Sequence, residues 1–232
     1  MPETGLRSLK GVVLLEGLTP KELSVIEKNC RWRRYDAHQQ VIDREAESKD
    51  VFFVVEGRVR IVNYSFSGRG IILDELSPGS YFGELAAIDD SPRSARVVAQ
   101  THCLIAAMTQ ADFLLLLKKR PIIATRVLKR LARIVRDATN RIMELSTLGA
   151  NNRVHADLLR QARAHMDGEN KAVLKPIPVH GDVASRVSTT RETVARVMSD
   201  LARKGILVRG KDAMVIADVG KLQDMVEEVR GG

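Results

Sequence analysis

In the stretch FGELAAIDDSPRSARV, Phe82 to Val97, a carboxylate at Glu84 and a guanidinium at Arg93 flank an Asp-Asp-Ser-Pro turn in otherwise apolar sequence. Arg93 offers a two-bond fork suited to a phosphate. Ser94 and the backbone N–H groups of Ser-Ala-Arg-Val add neutral donors, Glu84 is an acceptor for a sugar hydroxyl, and Gly83 lets backbone approach closely. An acid for a sugar beside a base for a phosphate describes a nucleotide site. The same two residues also fit a plain internal Glu84–Arg93 salt bridge that pins a loop, and motif-sized matches of this kind are often accidental.

A second constellation lies near the other end. Gly181 to Lys204 divides into GDVASRV, with Val183, Ala184 and Val187 apolar, and RETVARVMSDLARKG, with Val194, Val197, Met198 and Leu201 apolar, separated by Ser-Thr-Thr. That spacing fits a helix-turn-helix. Thr190 is a suitable N-cap for the second helix. Arg191, Glu192 and Arg196 then fall on the face opposite the apolar stripe, where a recognition helix meets base edges. Arginine can bind guanine O6 and N7 with two bonds, and glutamate can accept from cytosine N4. Thr189, Thr190, Thr193 and Arg203 are nearby donors for phosphate oxygens. GILVRGKDAMVIAD reads as a two-stranded wing turning at Gly-Lys-Asp, which completes a winged helix.

Elements must hold these two sites, and the 232 residues suffice for two modest domains. LTPKELSVIEKNC opens with Thr19, Pro20 and Glu22 in a capping-box pattern. From Trp32 to Met108 come the strand-like runs HQQVIDREAE, DVFFVVEGRVRIVNYS, GIILDELSPGSYFGEL and ARVVAQTHCLIAAM, split by turn residues. They predict an antiparallel barrel or jelly roll. A long helix is expected from Pro121 to Leu148, with Leu128, Leu131, Val135, Ala138, Ile142 and Leu145 spaced 3, 4, 3, 4, 3. So narrow a seam points to a second copy of the same helix, and hence a homodimer, rather than to a cover for the barrel. Leu-Gly-Ala-Asn-Asn-Arg after it reads as a hinge.

Composition narrows the class. Lys+Arg number 37 against 29 Asp+Glu, a formal charge of +8, as for a protein that meets polyanions. Cys30 and Cys103 are the two cysteines, with no CxxC pair, so a disulfide framework and a zinc ribbon are unsupported and a reducing cytoplasm is expected. The start, MPETGLRSLKGVV, has no long apolar core, and ADFLLLLKKRPII is broken by charge and proline, so neither signal peptide nor membrane span is expected. His38, His102, His155, His165 and His180 show no metal-ligand spacing, and no Ser-His-Asp arrangement suggests an enzyme.

TTRETVARVMSDLARKGILVRG resembles the helix-turn-helix and wing of the cyclic AMP receptor protein family of bacterial transcription regulators. FGEL followed by PRSARV resembles the phosphate-binding cassette of cyclic-nucleotide-binding domains. The likeness spans nearly the whole chain in order and implies an α+β fold. The expected divisions are a cyclic-nucleotide-binding β-roll over 1–120, a dimerisation helix over 121–148, a hinge over 149–153 and a winged helix-turn-helix over 154–232.

The resemblance further implies that Glu84 takes the ribose 2′-hydroxyl and that Arg93 and Ser94 take the cyclic phosphate, with Gly83 and Leu85 lining the pocket. Two adjacent hydroxyl residues of the family's long helix contact the adenine amine. Those places hold Ala138 and Thr139 here, and Asn140 is an additional amide partner. Cyclic AMP is the first choice of ligand on this resemblance, and cyclic GMP the second. Arg191, Glu192 and Arg196 match the residues that read a palindromic operator with TGTGA-like half-sites in double-stranded DNA, and recruitment of RNA polymerase is implied as well. At the turn, Ser188 stands where the family often has glycine, so a strained turn is expected. Relatives that sense oxygen through an iron-sulfur cluster use N-terminal cysteines that this chain lacks. For a haem sensor, His102 and Cys103 are nominal axial candidates.

Overall fold

Thr19 caps the first α-helix as its sequence predicts. In the computed structural model, which describes residues 7–65, 68 and 70–230, the Thr19 hydroxyl accepts from the Glu22 N–H and the Glu22 carboxylate accepts from the Thr19 N–H at 2.8 Å. This helix, α1, spans Pro20–Asn29 and follows a 3-10 turn at Val13–Leu15. The first six residues of the N-terminal stretch read above lie outside the described residues.

The chain forms two compact units, Met1–Ile134 and Val135–Gly232. In the first, β1 (Arg31–Tyr35), β8 (Cys103–Met108), β3 (Val51–Glu56) and β6 (Tyr81–Phe82) make one sheet in that order. The second sheet orders β2 (Gln40–Ile42), β7 (Arg96–Ala99), β4 (Val59–Tyr64) and β5 (Gly70–Leu76). All the pairings are antiparallel, giving the expected jelly roll.

The almost unbroken apolar run of β3 has a physical reason: both of its faces are covered. Phe52 and Val54 join Tyr35, Val59, Phe82, Val97 and Ile105 in a core shared by the two sheets. Val51 and Phe53 point to the other side and pack with Phe113, Ile123 and Val127 of the following helices. Those helices are α3 (Gln110–Lys119), capped by Thr109, and the long α4 (Pro121–Thr147).

Two local expectations change. Only Gln40–Ile42 of HQQVIDREAE is strand. Beyond it Glu45 adopts φ 65° and the chain turns so that Glu45 N–H and Ala46 C=O bracket the backbone of Arg93. The run GIILDELSPGSYFGEL does not end as strand either, because β6 stops at Phe82 and Glu84–Asp89 form a short helix, α2.

α4 carries two apolar faces. Ile123 and Val127 are buried and Leu131 packs partly on the same core, whereas Leu128, Val135 and Ile142 are 65%, 63% and 62% exposed. Only the start of the helix therefore covers the barrel. The division between the two units falls within α4, after Ile134.

The second unit contains α5 (Ala150–Ala164), β9 (Ala172–Leu174), α6 (His180–Val187), α7 (Arg191–Arg203), β10 (Leu207–Arg209), β11 (Met214–Ile216) and α8 (Val219–Arg230). Gly149 is the N-cap of α5, so Asn151 to Arg153 form its first turn rather than open chain. The wing gains a strand that its sequence did not announce, since β9 pairs with β11 to give the order β10-β11-β9. α8 was likewise not anticipated; its Leu222 and Val226 close a core with Leu158, Val194, Leu201 and Ile216. No helix among the described residues is long and apolar enough to cross a membrane.

Candidate functional site

Gly83 sits between β6 and α2 with φ 86°, in the left-handed region that glycine enters without strain. A Cβ there would lie 2.7 Å from Arg93 Nη1 and 2.9 Å from the Asp50 carbonyl, so the absent side chain is what admits the arginine. Arg93 is 3% exposed. Its Nη1 donates to Gly83 C=O at 2.9 Å, its Nη2 to Asp50 C=O at 2.8 Å and its Nε to Ser48 Oγ at 3.2 Å. The guanidinium also lies 5.4 Å from the centre of the Phe52 ring, which stacks on Phe82.

A buried cation is expensive unless an anion accompanies it. Among the described residues no carboxylate lies within salt-bridge distance of Arg93, and its cradle is three neutral oxygens. Burial accordingly lowers its pKa, with partial compensation from the more distant Asp50 and Glu84. Three of the five N–H donors of a guanidinium are used in this way.

Glu84, 4% exposed, does not pair with Arg93. It accepts instead from Arg130 Nε of α4 at 3.2 Å, and the Arg130 guanidinium lies 4.6 Å from the Tyr81 ring centre. The internal Glu84–Arg93 bridge is therefore absent from the described residues, and the two charges stand separately compensated, one by a cation and one by dipoles. Burial pushes the Tyr81 hydroxyl up to about 12, and that hydroxyl has no hydrogen-bond partner among the described residues.

Ser94 is exposed, and its carbonyl accepts from Asn63 Nδ2 at 3.1 Å, while Asn63 Oδ1 is a buried acceptor with no partner among the described residues. Leu85 is exposed on α2. Lys49 bonds the Asp90 carboxylate at 2.7 Å and so ties the far end of α2 to the loop that supplies Ser48 and Asp50. Sequence reasoning missed Arg130, Tyr81, Ser48, Asp50 and Asn63, because nothing near them in sequence marks them. Thr139 and Asn140 are exposed on the second-unit part of α4, and the Thr139 hydroxyl donates to Val135 C=O of its own helix at 3.0 Å.

In the second unit, α6 ends at Ser188, whose φ 54° and ψ 51° are left-handed, the strained turn that the family resemblance implies. Thr190 then caps α7, accepting from Thr193 N–H at 3.3 Å with its hydroxyl 3.2 Å from that of Thr193. Val194, Val197, Met198 and Leu201 are buried, and Arg191, Glu192 and Arg196 are exposed opposite them.

Arg191 lies across Gly181, where a Cβ would come within 3.0 Å of its Nε. Arg196 Nη2 reaches Asn151 Oδ1 at 3.4 Å. The Glu192 carboxyl is held low by its own backbone N–H and then by the Thr190 hydroxyl, so it presents a charged acceptor. Thr189 is buried, with its N–H on Ala184 C=O, and Arg203 pairs with Asp200 on its own helix. An exposed helix with two guanidiniums and one carboxylate at its N-terminal end has the chemistry to read base edges. No cluster of His, Cys, Asp and Glu among the described residues is arranged to hold a metal ion.

A β-roll with a buried arginine–glutamate cassette, joined through a long helix to a winged helix-turn-helix, defines a ligand-binding transcription regulator. The cyclic nucleotide-binding domain pattern matches residues 32–120, and the Crp-like helix-turn-helix domain pattern matches residues 152–225. The chain belongs to the cyclic AMP receptor protein family of transcription regulators and carries a cyclic nucleotide-binding domain and a DNA-binding helix-turn-helix.

It is 29% identical over 217 residues to the cyclic AMP receptor protein of Thermus thermophilus, covering 94% of this chain and 98% of that one. It is 28% identical over 205 residues to the cAMP-activated global transcriptional regulator Vfr of Pseudomonas aeruginosa, covering 84% and 94%. Among solved structures, a CooA variant from Carboxydothermus hydrogenoformans superposes with TM-score 0.79 at 22% identity, over 94% of this chain and 95% of that one. The Thermus thermophilus catabolite activator protein superposes with TM-score 0.53 at 27% identity, over 93% and 99%.

Proposed function

We propose that the chain is a cyclic AMP-gated regulator that binds a palindromic operator as a homodimer in the cytoplasm. One observation carries the nucleotide half: Arg93 is a buried cation cradled by neutral oxygens, with donors left for an anion. In this reading the cyclic phosphate takes those donors together with Ser94. The ribose 2′-hydroxyl donates to Glu84, and Gly83 and Leu85 line the pocket with backbone. Arg130 neutralises Glu84, so the pocket keeps the net positive charge that a monoanionic ligand needs. The base is met by Thr139 and Asn140, with Ala138 leaving room, and the relatives named for cyclic AMP support adenine over guanine.

The exposed seam of Leu128, Val135 and Ile142 supports dimerisation through α4, since so much apolar surface along one helix calls for a partner. Functionally the divisions are the nucleotide domain to residue 120, the dimer helix over 121–148, the hinge over 149–153 and the DNA-binding domain beyond it. Ligand bound against the dimer seam stabilises α4 toward the hinge and biases the two α7 helices toward the spacing of one DNA turn, about 34 Å. Arg191, Glu192 and Arg196 then read TGTGA-like half-sites while Thr190 and Thr193 bind phosphate oxygens, and Thr189 shapes the turn. Bound protein contacts RNA polymerase.

Cyclic AMP and cyclic GMP titrations with and without a TGTGA palindrome test the reading. Nucleotide and DNA should strengthen each other by about 1–3 kcal/mol, reciprocally. R93L should abolish the stimulation; stimulation that survives R93L defeats the pocket assignment. A stronger response to cyclic GMP would replace the ligand and keep the site.

A further inference from the structure

The last carbonyls of a helix have no partner within it and carry the negative end of its dipole. At the end of α6 two arginines from outside the helix take them. Arg141 of α4 donates through Nη2 to Arg186 C=O at 2.6 Å. Arg153 of α5 donates through Nε to Val187 C=O at 2.8 Å and through Nη2 to Ser188 C=O at 3.1 Å, with its Nη1 on Leu148 C=O at 2.8 Å.

Behind this clamp Arg186 turns its own side chain to the buried Asp157, with Nη2 to Oδ2 at 3.0 Å. Arg160 bonds Asp157 and, at 2.7 Å, Glu144 of α4. The C-terminal part of α4 therefore reaches α6 directly through Arg141, while Glu144 meets Arg160 of α5, which shares Asp157 with Arg186 of α6. The carbonyls that Arg141 and Arg153 hold belong to Arg186, Val187 and Ser188, immediately before the turn that sets the direction of α7.

We infer that Arg141 is a positioning residue of DNA recognition: it fixes the end of α6, and through the Ser188 turn it fixes α7, from the helix that carries the proposed base contacts. Thr139 lies two residues before it on that helix, so a change in α4 at the base reaches α6 through one side chain as well as through the main chain of the hinge. The inference rests on the gating proposed above for its link to nucleotide, but the clamp itself does not depend on it.

Full-length wild type, R141M and R141K decide the matter. Cyclic AMP binding is measured by calorimetry without DNA, and binding of a TGTGA-palindrome duplex is measured with and without saturating cyclic AMP. R141M should bind cyclic AMP within about twofold of wild type. Its duplex affinity at saturating nucleotide should fall about tenfold, with most of the stimulation lost, a change within the usual 5–150-fold range of such couplings. R141K, whose ammonium can still donate to a carbonyl, should recover most of both.

Amide exchange over residues 185–194, followed without nucleotide or DNA, should be faster in R141M than in wild type. Unchanged duplex binding and unchanged exchange in R141M would overturn the inference. So would losses that R141K does not recover together with faster exchange across the whole second unit, which would make Arg141 a general stabiliser. A wild type whose duplex binding ignores cyclic AMP defeats the gating proposal instead, and the exchange comparison still decides Arg141.

Discussion

Glu84 and Arg130, 46 positions apart, form an ion pair that joins α2 to α4, 3.2 Å from Oε1 to Nε, with the Glu84 side chain 5% exposed. This pair leaves Arg93 free of any carboxylate partner among the described residues. It also keeps a second buried charge from opposing an anionic ligand.

Arg130→Met should therefore weaken cyclic AMP binding by about tenfold, or ~1.4 kcal/mol, without Arg130 needing to touch the ligand. Removing the cation leaves Glu84 as an uncompensated carboxylate near the phosphate. The double variant Glu84→Gln with Arg130→Met should lose no more affinity than Glu84→Gln alone. Calorimetric titration of the four chains checks this, and additive losses would place Arg130 directly on the ligand.

The Tyr81 hydroxyl is buried without a partner, while its ring supports Arg130. Tyr81→Phe keeps the ring and removes the unsatisfied group, so it should leave the protein as stable as wild type or up to about 1 kcal/mol more stable. Denaturant unfolding measures this. A marked loss of nucleotide affinity in the same variant would show that ligand supplies the missing partner.

Ser188→Gly should raise the stability of the second unit by up to about 1 kcal/mol, because the left-handed conformation costs an L-residue energy that glycine avoids. Thermal unfolding followed in that unit is the measurement. A fall in stability would mean that the serine hydroxyl contributes more than the backbone strain removes.

His155 of α5 is buried with its Nδ1 unpartnered among the described residues. Its pKa is lowered from 6.5 by burial and then by Lys204, with Asp200 opposing. Above pH 6.5 both folded and unfolded chains hold it neutral, and its contribution to stability is fully present. As pH falls below 6.5 the unfolded chain takes up a proton that the folded one resists, so stability declines until the lower folded pKa is reached. Wild type should thus lose more stability between pH 7.5 and pH 5 than His155→Leu does, as urea unfolding at the two pH values would show. Equal losses would leave the decline to other groups.

Glu192→Ala should relax discrimination at one base pair of each half-site, by about 1–3 kcal/mol. Competition binding with single-base variants of the palindrome reads this out. A uniform loss over all sequences would make Glu192 a structural residue of the first turn of α7 instead.

What the sequence determined by itself are the features whose partners are close along the chain. The Thr19–Glu22 box, the Thr190 cap, the buried stripe of Val194, Val197 and Leu201 and the strand runs all depend on neighbours within a turn or on one alternating face. The left-handed turn at Ser188 was expected on the family resemblance, whose pattern often places glycine there, and not on the residues alone. β9 was not visible, because three residues become a strand only when β11 offers an edge. α2 was concealed by the charges that made its stretch stand out.

The partners of the charges were decided only in three dimensions. Arg93 meets Asp50 and Ser48 at separations of 43 and 45 positions, and Arg141 meets Arg186 at 45. A guanidinium carries the same five donors whichever oxygens it meets. Whether it forms an internal salt bridge, a phosphate seat or a helix clamp depends on which oxygens the packed sheets and helices bring within hydrogen-bond reach of it, and that is a property of the fold as a whole.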